Sequence, residues 1–353
     1  MKKLLSLILA LIMILSLVAC GGGSADEGTT DGEGTTDGDG AGADEGGEEK
    51  VKVALMLPGD KNDAGWNQSA YEGLLAAETE YGVEIAYTEG IDQVNYESTA
   101  REYAATGYDL VLMIGGEFAD TCTVVGPEYP DTIFACFNGN TSLEPNVASY
   151  RYTTTETGFL CGAIAALLSE TGTVGYIVGS AAAHISDSLN AFGDGVKYIN
   201  PDYTALQVNI DSMSDVALAK ESTKAMIDQG ADVVIGNANT ASLGVIEAAD
   251  EAGIMALGVI SDQYDVAPET VKVSVVQDNA TMVMAIVKSV VDGSFVPAVN
   301  LFGIGDGAIY ISDWHGHDAE VAPEVLEKID EIVAGIADGS LKEAGILPKT
   351  SFE

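Results

Sequence analysis

The sequence predicts an α/β protein built from two doubly wound, parallel-sheet lobes of similar size. Three observations carry this. Short apolar runs alternate with stretches of helical spacing, which is the pattern of buried parallel strands joined by crossover helices. The series begins again after residue 170, and Gly230-Ala231-Asp232-Val233-Val234-Ile235-Gly236 echoes Gly107-Tyr108-Asp109-Leu110-Val111-Leu112-Met113-Ile114-Gly115. Over 353 residues, a hydrophobic content of 47% is ample for two cores.

In the first series, Val53 to Leu57 is a strand, followed by a helix from about Gln68 to Tyr81. Val83 to Tyr87 is the next strand, with a helix from about Tyr96 to Thr106. Leu110 to Ile114, a helix from about Phe118, Ile133 to Phe137 and Val147 to Tyr150 complete it, and a long helix from about Glu156 to Ser169 leads away. The second series runs Val174 to Val178, helix Ser188 to Ile199, Thr204 to Asn209, helix Asp215 to Gln229, Val233 to Ile235, helix Leu243 to Glu251, Met255 to Val259 and Val271 to Val275. Later come a helix from about Ala280 to Val291, a strand near Val299 to Phe302 and an amphipathic helix from about Pro323 to Ala337, ended at Asp338-Gly339. These last pieces are too few for a third domain and are expected to return to the lobes as hinge crossings. The expected division is 51–150 plus about 277–306 for lobe 1, and 151–276 plus about 307–353 for lobe 2.

The turn after the first strand, Gly59-Asp60-Lys61-Asn62-Asp63-Ala64-Gly65-Trp66-Asn67-Gln68, concentrates two carboxylates, amides and an indole at a helix start. Open α/β sheets bind ligands outside the carboxyl ends of their strands, which is where this turn falls. The mixture suits a flat polar molecule, with a ring for Trp66 and hydroxyl or amino groups for the Asp and Asn side chains. The competing reading has Asp60 or Asp63 capping the helix and Trp66 in the core.

Met1-Lys2-Lys3, an apolar run from Leu4 to Val18 and Leu17-Val18-Ala19-Cys20 look like a bacterial lipoprotein signal. Residues 1–19 would be removed and Cys20 lipidated, placing the chain on the extracytoplasmic face of the cell membrane. A spanning anchor is disfavoured, since about 15 apolar residues are short for a bilayer. The tract at 20–50 lacks any apolar period and is expected to be a disordered acidic tether. The formal charge of −40, from 55 acids and 15 bases, argues against nucleic acid and anionic lipid headgroups as partners, and a halophilic source would also produce it. Cys122, Cys136 and Cys161 sit in apolar surroundings with no metal spacing and are assigned no chemistry.

From Val51 onward the chain resembles the basic membrane protein family, the purine-nucleoside-receptor-like substrate-binding lipoproteins of ABC importers. The resemblance rests on the Asp60 to Gln68 turn followed by Ala70-Tyr71-Glu72-Gly73, similar to the family's D-x-S-F-N-Q…G run. It rests also on Glu156-Thr157-Gly158-Phe159-Leu160-Cys161-Gly162, Leu243-Gly244-Val245-Ile246-Glu247-Ala248-Ala249 and Gly258-Val259-Ile260-Ser261-Asp262-Gln263. It implies type I periplasmic-binding architecture with a multi-crossing hinge, and a small-molecule ligand, a nucleoside, held between the lobes. It further implies an ABC permease with its ATPase as partners, a monomeric receptor, no cofactor, no metal and no catalysis. The family's stacking aromatic falls on Trp66, and its base-reading groups on Asp60, Asp63, Asn67 and Gln68. Gly116, Phe118 and Asn138 follow from the first lobe, and Asn237, Asn239 and Asp262 from the second. Two departures stand out. Asn237-Ala238-Asn239-Thr240 replaces a Gly-rich run with a nearby aromatic, and Gln277 replaces the Lys of a Ser-Val-x-Lys pattern. Without that cation, carboxylates in the cleft would meet a phosphate unaided, so a neutral or cationic nucleoside or modified base is expected.

Other features compete for attention. Trp314-His315-Gly316-His317-Asp318 has too few ligands for a metal site and is expected to be a polar turn. Gly303-Ile304-Gly305-Asp306-Gly307 lacks the Lys-Ser/Thr ending of a phosphate loop. His184 either faces ligand or caps a helix. Arg151 either fixes hinge geometry or approaches ligand, with the structural role favoured. Two other functions compete: a binder of a sugar, modified base or signal feeding a sensor, and a nucleoside-cleaving enzyme.

Overall fold

The computed structural model describes residues 50–62 and 66–351. The signal peptide, Cys20, the acidic tract and Asp63 lie outside the described residues. The elements in order are β1 (Lys52–Met56), α1 (Trp66–Tyr81), β2 (Glu84–Thr88), α2 (Tyr96–Ala105), β3 (Leu110–Met113), α3 (Ala119–Val125), β4 (Ile133–Phe137) and β5 (Val147–Tyr152). There follow α4 (Thr154–Leu168), β6 (Thr173–Val178), α5 (Ala183–Ile199), β7 (Thr204–Asn209), α6 (Val216–Ile227), β8 (Val233–Asn237), α7 (Ser242–Ala252), β9 (Met255–Ile260) and β10 (Ser274–Gln277). The chain ends with α8 (Asn279–Val291), β11 (Val299–Phe302), β12 (Ile309–Ile311), α9 (Pro323–Ala337) and α10 (Ser340–Glu343).

Two six-stranded sheets result, ordered β11-β5-β4-β3-β1-β2 and β12-β10-β9-β8-β6-β7. Every pairing is parallel except β10 with β12. The inner strands β3 and β5 are buried along their whole length, as strands covered on both faces must be, whereas the edge strands β2 and β7 are half-exposed. Each sheet reverses its strand order once, between β1 and β3 and between β6 and β8. A doubly wound sheet opens its binding crevice at such a reversal.

Close backbone approach joins α4 to α5, with the rings of Phe159 and Tyr198 5.5 Å apart beside it. A Cβ at Gly158, Gly162 or Gly195 would meet the carbonyl oxygens of Ser188, Phe192 and Phe159 respectively. Likewise Gly73 brings α1 against α8, where an added Cβ would lie 2.7 Å from the Ala280 Cα. That contact places Trp66 and α1 beside the residues that follow β10. The chain passes from one sheet to the other three times: at Thr153 after β5, at Asp278 after β10, and near Gly303 after β11.

Several boundaries differ from those the sequence suggests. Helix α1 starts at Trp66, so the indole belongs to its first turn. Helix α5 starts at Ala183 instead of Ser188, because the alanines before His184 favour helix, and His184 falls in its first turn. Strand β10 runs to Gln277, two residues beyond the Val271 to Val275 run, and so carries Gln277 to the sheet's end. The three-residue β12 has no apolar period by which to read it. Among the described residues no helix is long and apolar enough to cross a membrane.

Candidate ligand cleft

The carboxyl ends of β1, β3, β4, β6, β8, β9 and β10 all border one cleft between the sheets. Its larger chamber has a volume of about 690 Å³ and its smaller one about 290 Å³. Trp66, Ile260, Ser261 and Gln277 line both, so the two chambers share a wall.

Trp66 is braced rather than buried. Its ring packs edge-on against Phe137 at 6.4 Å and Tyr152 at 6.3 Å, and its indole N–H donates to the Ile114 carbonyl at 3.4 Å. A second set of bonds fixes its backbone: the Tyr152 hydroxyl donates to Asn279 Oδ1 at 2.7 Å, and Asn279 Nδ2 donates to the Trp66 carbonyl at 2.8 Å. Burial first, then the Asp278 charge, pushes the Tyr152 hydroxyl well above its ordinary pKa, so it stays a donor.

Amides dominate the larger chamber. Asn67, Gly116, Asn138, Asn237, Asn239 and Gln277 are all brought together there. Asn237 Nδ2 donates to the buried Tyr176 hydroxyl at 3.1 Å, and Gln277 Nε2 donates to Thr157 Oγ1 at 2.9 Å. Each amide is thereby oriented by a hydroxyl behind it. Asn138 (φ 54°), Asn239 (φ 45°) and Ile260 (φ 76°) all take the left-handed backbone, and all three line the chamber. For β-branched Ile260 that conformation costs on the order of 1–3 kcal/mol, and such outliers gather at ligand clamps. Arg151 holds the first of them: its buried guanidinium donates to the carbonyls of Asn138 at 2.8 Å and Gly139 at 2.6 Å. The structural role favoured for Arg151 is thus visible.

His184 faces the larger chamber from α5. Burial, then the nearby Arg151 charge, lowers its pKa below the usual 6.5, against a smaller opposing effect of Asp187. A neutral imidazole there offers one donor and one acceptor. Among the described residues that line this chamber, Glu117 is the one carboxylate and none is Lys or Arg.

Gln68 and Asp262 instead line the smaller chamber. Asp262 Oδ2 lies 2.8 Å from His315 Nε2, and Oδ1 accepts from the Ser274 hydroxyl at 3.3 Å. The ring of His315 stacks on Tyr264 at 3.8 Å, and His317 Nδ1 lies 2.9 Å from Glu320 Oε1. The His-x-His turn therefore braces the Asp262 loop.

Two proposed contacts need correction. Phe118 is fully buried and packs on Tyr96 at 4.1 Å, because its side chain turns under the loop into the lobe 1 core. Asp60 lines neither chamber: its Oδ1 closes its own turn by accepting from the Asn62 backbone N–H at 2.7 Å and from the Asn62 amide at 3.1 Å. Conversely Tyr152, Ile260, Ser261 and Tyr310 line the cleft and were not singled out. Ile260 and Ser261 adjoin Asp262 in sequence, which is a signal; Tyr152 and Tyr310 carried none.

Residues 50–337 match the family described as ABC transporter substrate-binding protein, PnrA-like. The chain belongs to that family. A PnrA-like protein is a binding component, and the family's members are non-enzymatic. Among relatives, the transcriptional activator protein med of Bacillus subtilis is 31% identical over 64% of this chain and 71% of its own length. A purine-binding protein of Brucella abortus is 26% identical, covering 83% of each chain. The crystal structure of an ABC transporter solute-binding protein from Aeropyrum pernix superposes with a TM-score of 0.66 at 21% identity, covering 82% of this PnrA-like chain and 92% of that one. This likeness shows the fold, two α/β parallel-sheet lobes.

Proposed function

We propose that this protein captures a neutral nucleoside, of purine type, between its lobes and delivers it to an ABC permease and its ATPase. It does so as a monomer held to the outer face of the cell membrane by lipid on Cys20. The carrying observation is the braced indole of Trp66 facing a chamber of about 690 Å³ walled by oriented amides and without a lining Lys or Arg among the described residues. That volume falls in the usual range for small-molecule sites. An aromatic face stacks a base, worth roughly 1–3 kcal/mol by analogy with nucleic-acid platforms. Asn and Gln side chains both donate to and accept from base edges. The purine preference is supported by the printed name of the Brucella abortus relative. Closure of the lobes on the ligand would give the permease a shape to recognise.

A thermal-shift screen of nucleosides and free bases tests this. Site binding raises the melting temperature by mass action, so purine nucleosides should give a concentration-dependent rise. A flat response to all nucleosides and bases would remove the reading. Release of free base on incubation would contradict the receptor role in favour of cleavage.

A second reading, a cleft that feeds a sensor, is favoured by the likeness to the Bacillus subtilis activator. The charge of −40 argues against direct contact with DNA in that case. Finding genes for a permease and an ATPase beside this one would decide for import.

A further inference from the structure

His184 enters the larger chamber from the first turn of α5 and lines it together with Trp66 and Tyr152. Its polar neighbours Asn237 and Gln277 are each held by a hydroxyl. By contrast, neither nitrogen of the His184 ring has a hydrogen-bond partner among the described residues. Because the ring is half-buried and lines the chamber, a ligand there takes the place of water against it.

Charge reaches the ring from β5 and from its own helix. On β5, the Arg151 guanidinium is fixed on the carbonyls of Asn138 and Gly139. Asp187, three residues along α5, accepts from the Ser351 backbone N–H at 2.8 Å and from its hydroxyl at 2.6 Å. Burial, then Arg151, disfavours the imidazolium, and Asp187 opposes them with a smaller effect. Among the described residues lining the chamber, two other groups titrate: the Glu117 carboxylate on the loop after β3, and the Tyr152 hydroxyl, kept protonated by burial. A neutral ligand that fills the chamber strips further water from the His184 ring, and that loss penalises the charged form again. The neutral ring, with one donor and one acceptor, can exchange its water bonds for bonds to the ligand's polar edges.

We propose that His184 is a ligand contact that makes capture acid-sensitive: the cleft takes its nucleoside with the imidazole neutral, and protonation of that ring weakens binding. This rests on the nucleoside reading of the larger chamber and adds a regulation of the same site. Ligand would lower further an imidazole pKa that already lies below 6.5. Affinity is therefore full above about pH 6.5 and falls as the pH drops through the lowered value. In the limit that only the neutral ring binds, Kd rises about tenfold for each further pH unit.

The test is isothermal titration of the full chain in detergent with adenosine, guanosine and inosine, from about pH 8 down to about pH 5, where none of the three changes charge appreciably. The native protein should hold a constant Kd above about pH 6.5, lose affinity several-fold towards the acid end and release protons on binding there, read from buffers of different ionisation enthalpy. His184→Gln should bind with a Kd independent of pH, because glutamine keeps a donor and an acceptor but takes up no proton. Asp187→Asn removes the opposing charge and should move the break in the profile to lower pH, a shift that a merely structural His184 would not produce. A native Kd that stays constant across the window overturns the inference and leaves the nucleoside reading standing. An acid loss that persists in folded His184→Gln, or a break unmoved by Asp187→Asn, overturns it too and places the proton on another group, such as Glu117. If no nucleoside binds at any pH, the nucleoside reading falls and takes the inference with it.

Discussion

Replacing Trp66 by Ala separates a binding platform from a structural ring. The indole makes two edge-on aromatic contacts, with Phe137 and Tyr152. At about 0.5–1.5 kcal/mol each, their loss should cost the fold roughly 1–3 kcal/mol. For a chain of this size that is a drop of several degrees in melting temperature, with the protein still folded at ambient temperature. Binding should lose a stacking contribution of similar size, which corresponds to roughly 5- to 150-fold in Kd. Calorimetric titration with a purine nucleoside gives the second quantity and a thermal melt the first. Trp66→Phe keeps a smaller ring and should recover most of the affinity. The reasoning is refuted if folded Trp66→Ala binds the nucleoside with unchanged Kd. Loss of the fold in that variant would instead make Trp66 a core residue.

Gln277→Lys places a cation in the shared wall and should bring the Kd of a nucleoside monophosphate towards or below that of its nucleoside in calorimetry, whereas the native protein should favour the nucleoside. His184 supplies a pH dependence. Its folded pKa is lowered from 6.5 by burial and Arg151, so the unfolded chain takes up a proton that the folded chain resists. Stability is therefore full above about pH 6.5 and declines as the pH falls from there through the lowered folded value, a decline that His184→Gln should flatten in melts across that window. Gly162→Val drives side-chain atoms into the Phe192 carbonyl across the α4–α5 contact and should cost more than about 3 kcal/mol, seen as a large loss in urea midpoint.

Most strands of both sheets were legible because they carry short apolar runs and the helices between them carry helical spacing, whereas β12 has too short a run to read. The turn after β1 was legible as cleft because it ends a strand, which is a matter of position, not of side-chain direction. Direction is where the sequence fell short. Phe118 and Asn138 both follow strands of one sheet, yet Phe118 turns under its loop while Asn138, held left-handed by the Arg151 clamp on its carbonyl, turns outward. Asp60 was offered to a ligand, but a carboxylate two residues before an Asn can close its own turn, and it does. Tyr152 and Tyr310 sit in strands where an aromatic ring looks like core filling. Only the pairing of β10 with β12 brings Tyr310 opposite Val276 and thus to the cleft.

Gln277 joins these local facts to the charge of the whole molecule. A formal charge of −40 repels anions at long range, but over about 8 Å at physiological salt that field is screened. Exclusion of a phosphorylated ligand must therefore be decided inside the cleft. There the position that could have offset a phosphate holds an amide already engaged by Thr157, with carboxylates in the adjoining chamber. A lysine at 277 would carry charge into both chambers at once, since both share that wall, and would neutralise the acidic side while making the amide side attractive to anions. On the proposed reading, one substitution would thus change selectivity in two compartments, and the identity of residue 277, more than the surface charge, would set what this cleft admits.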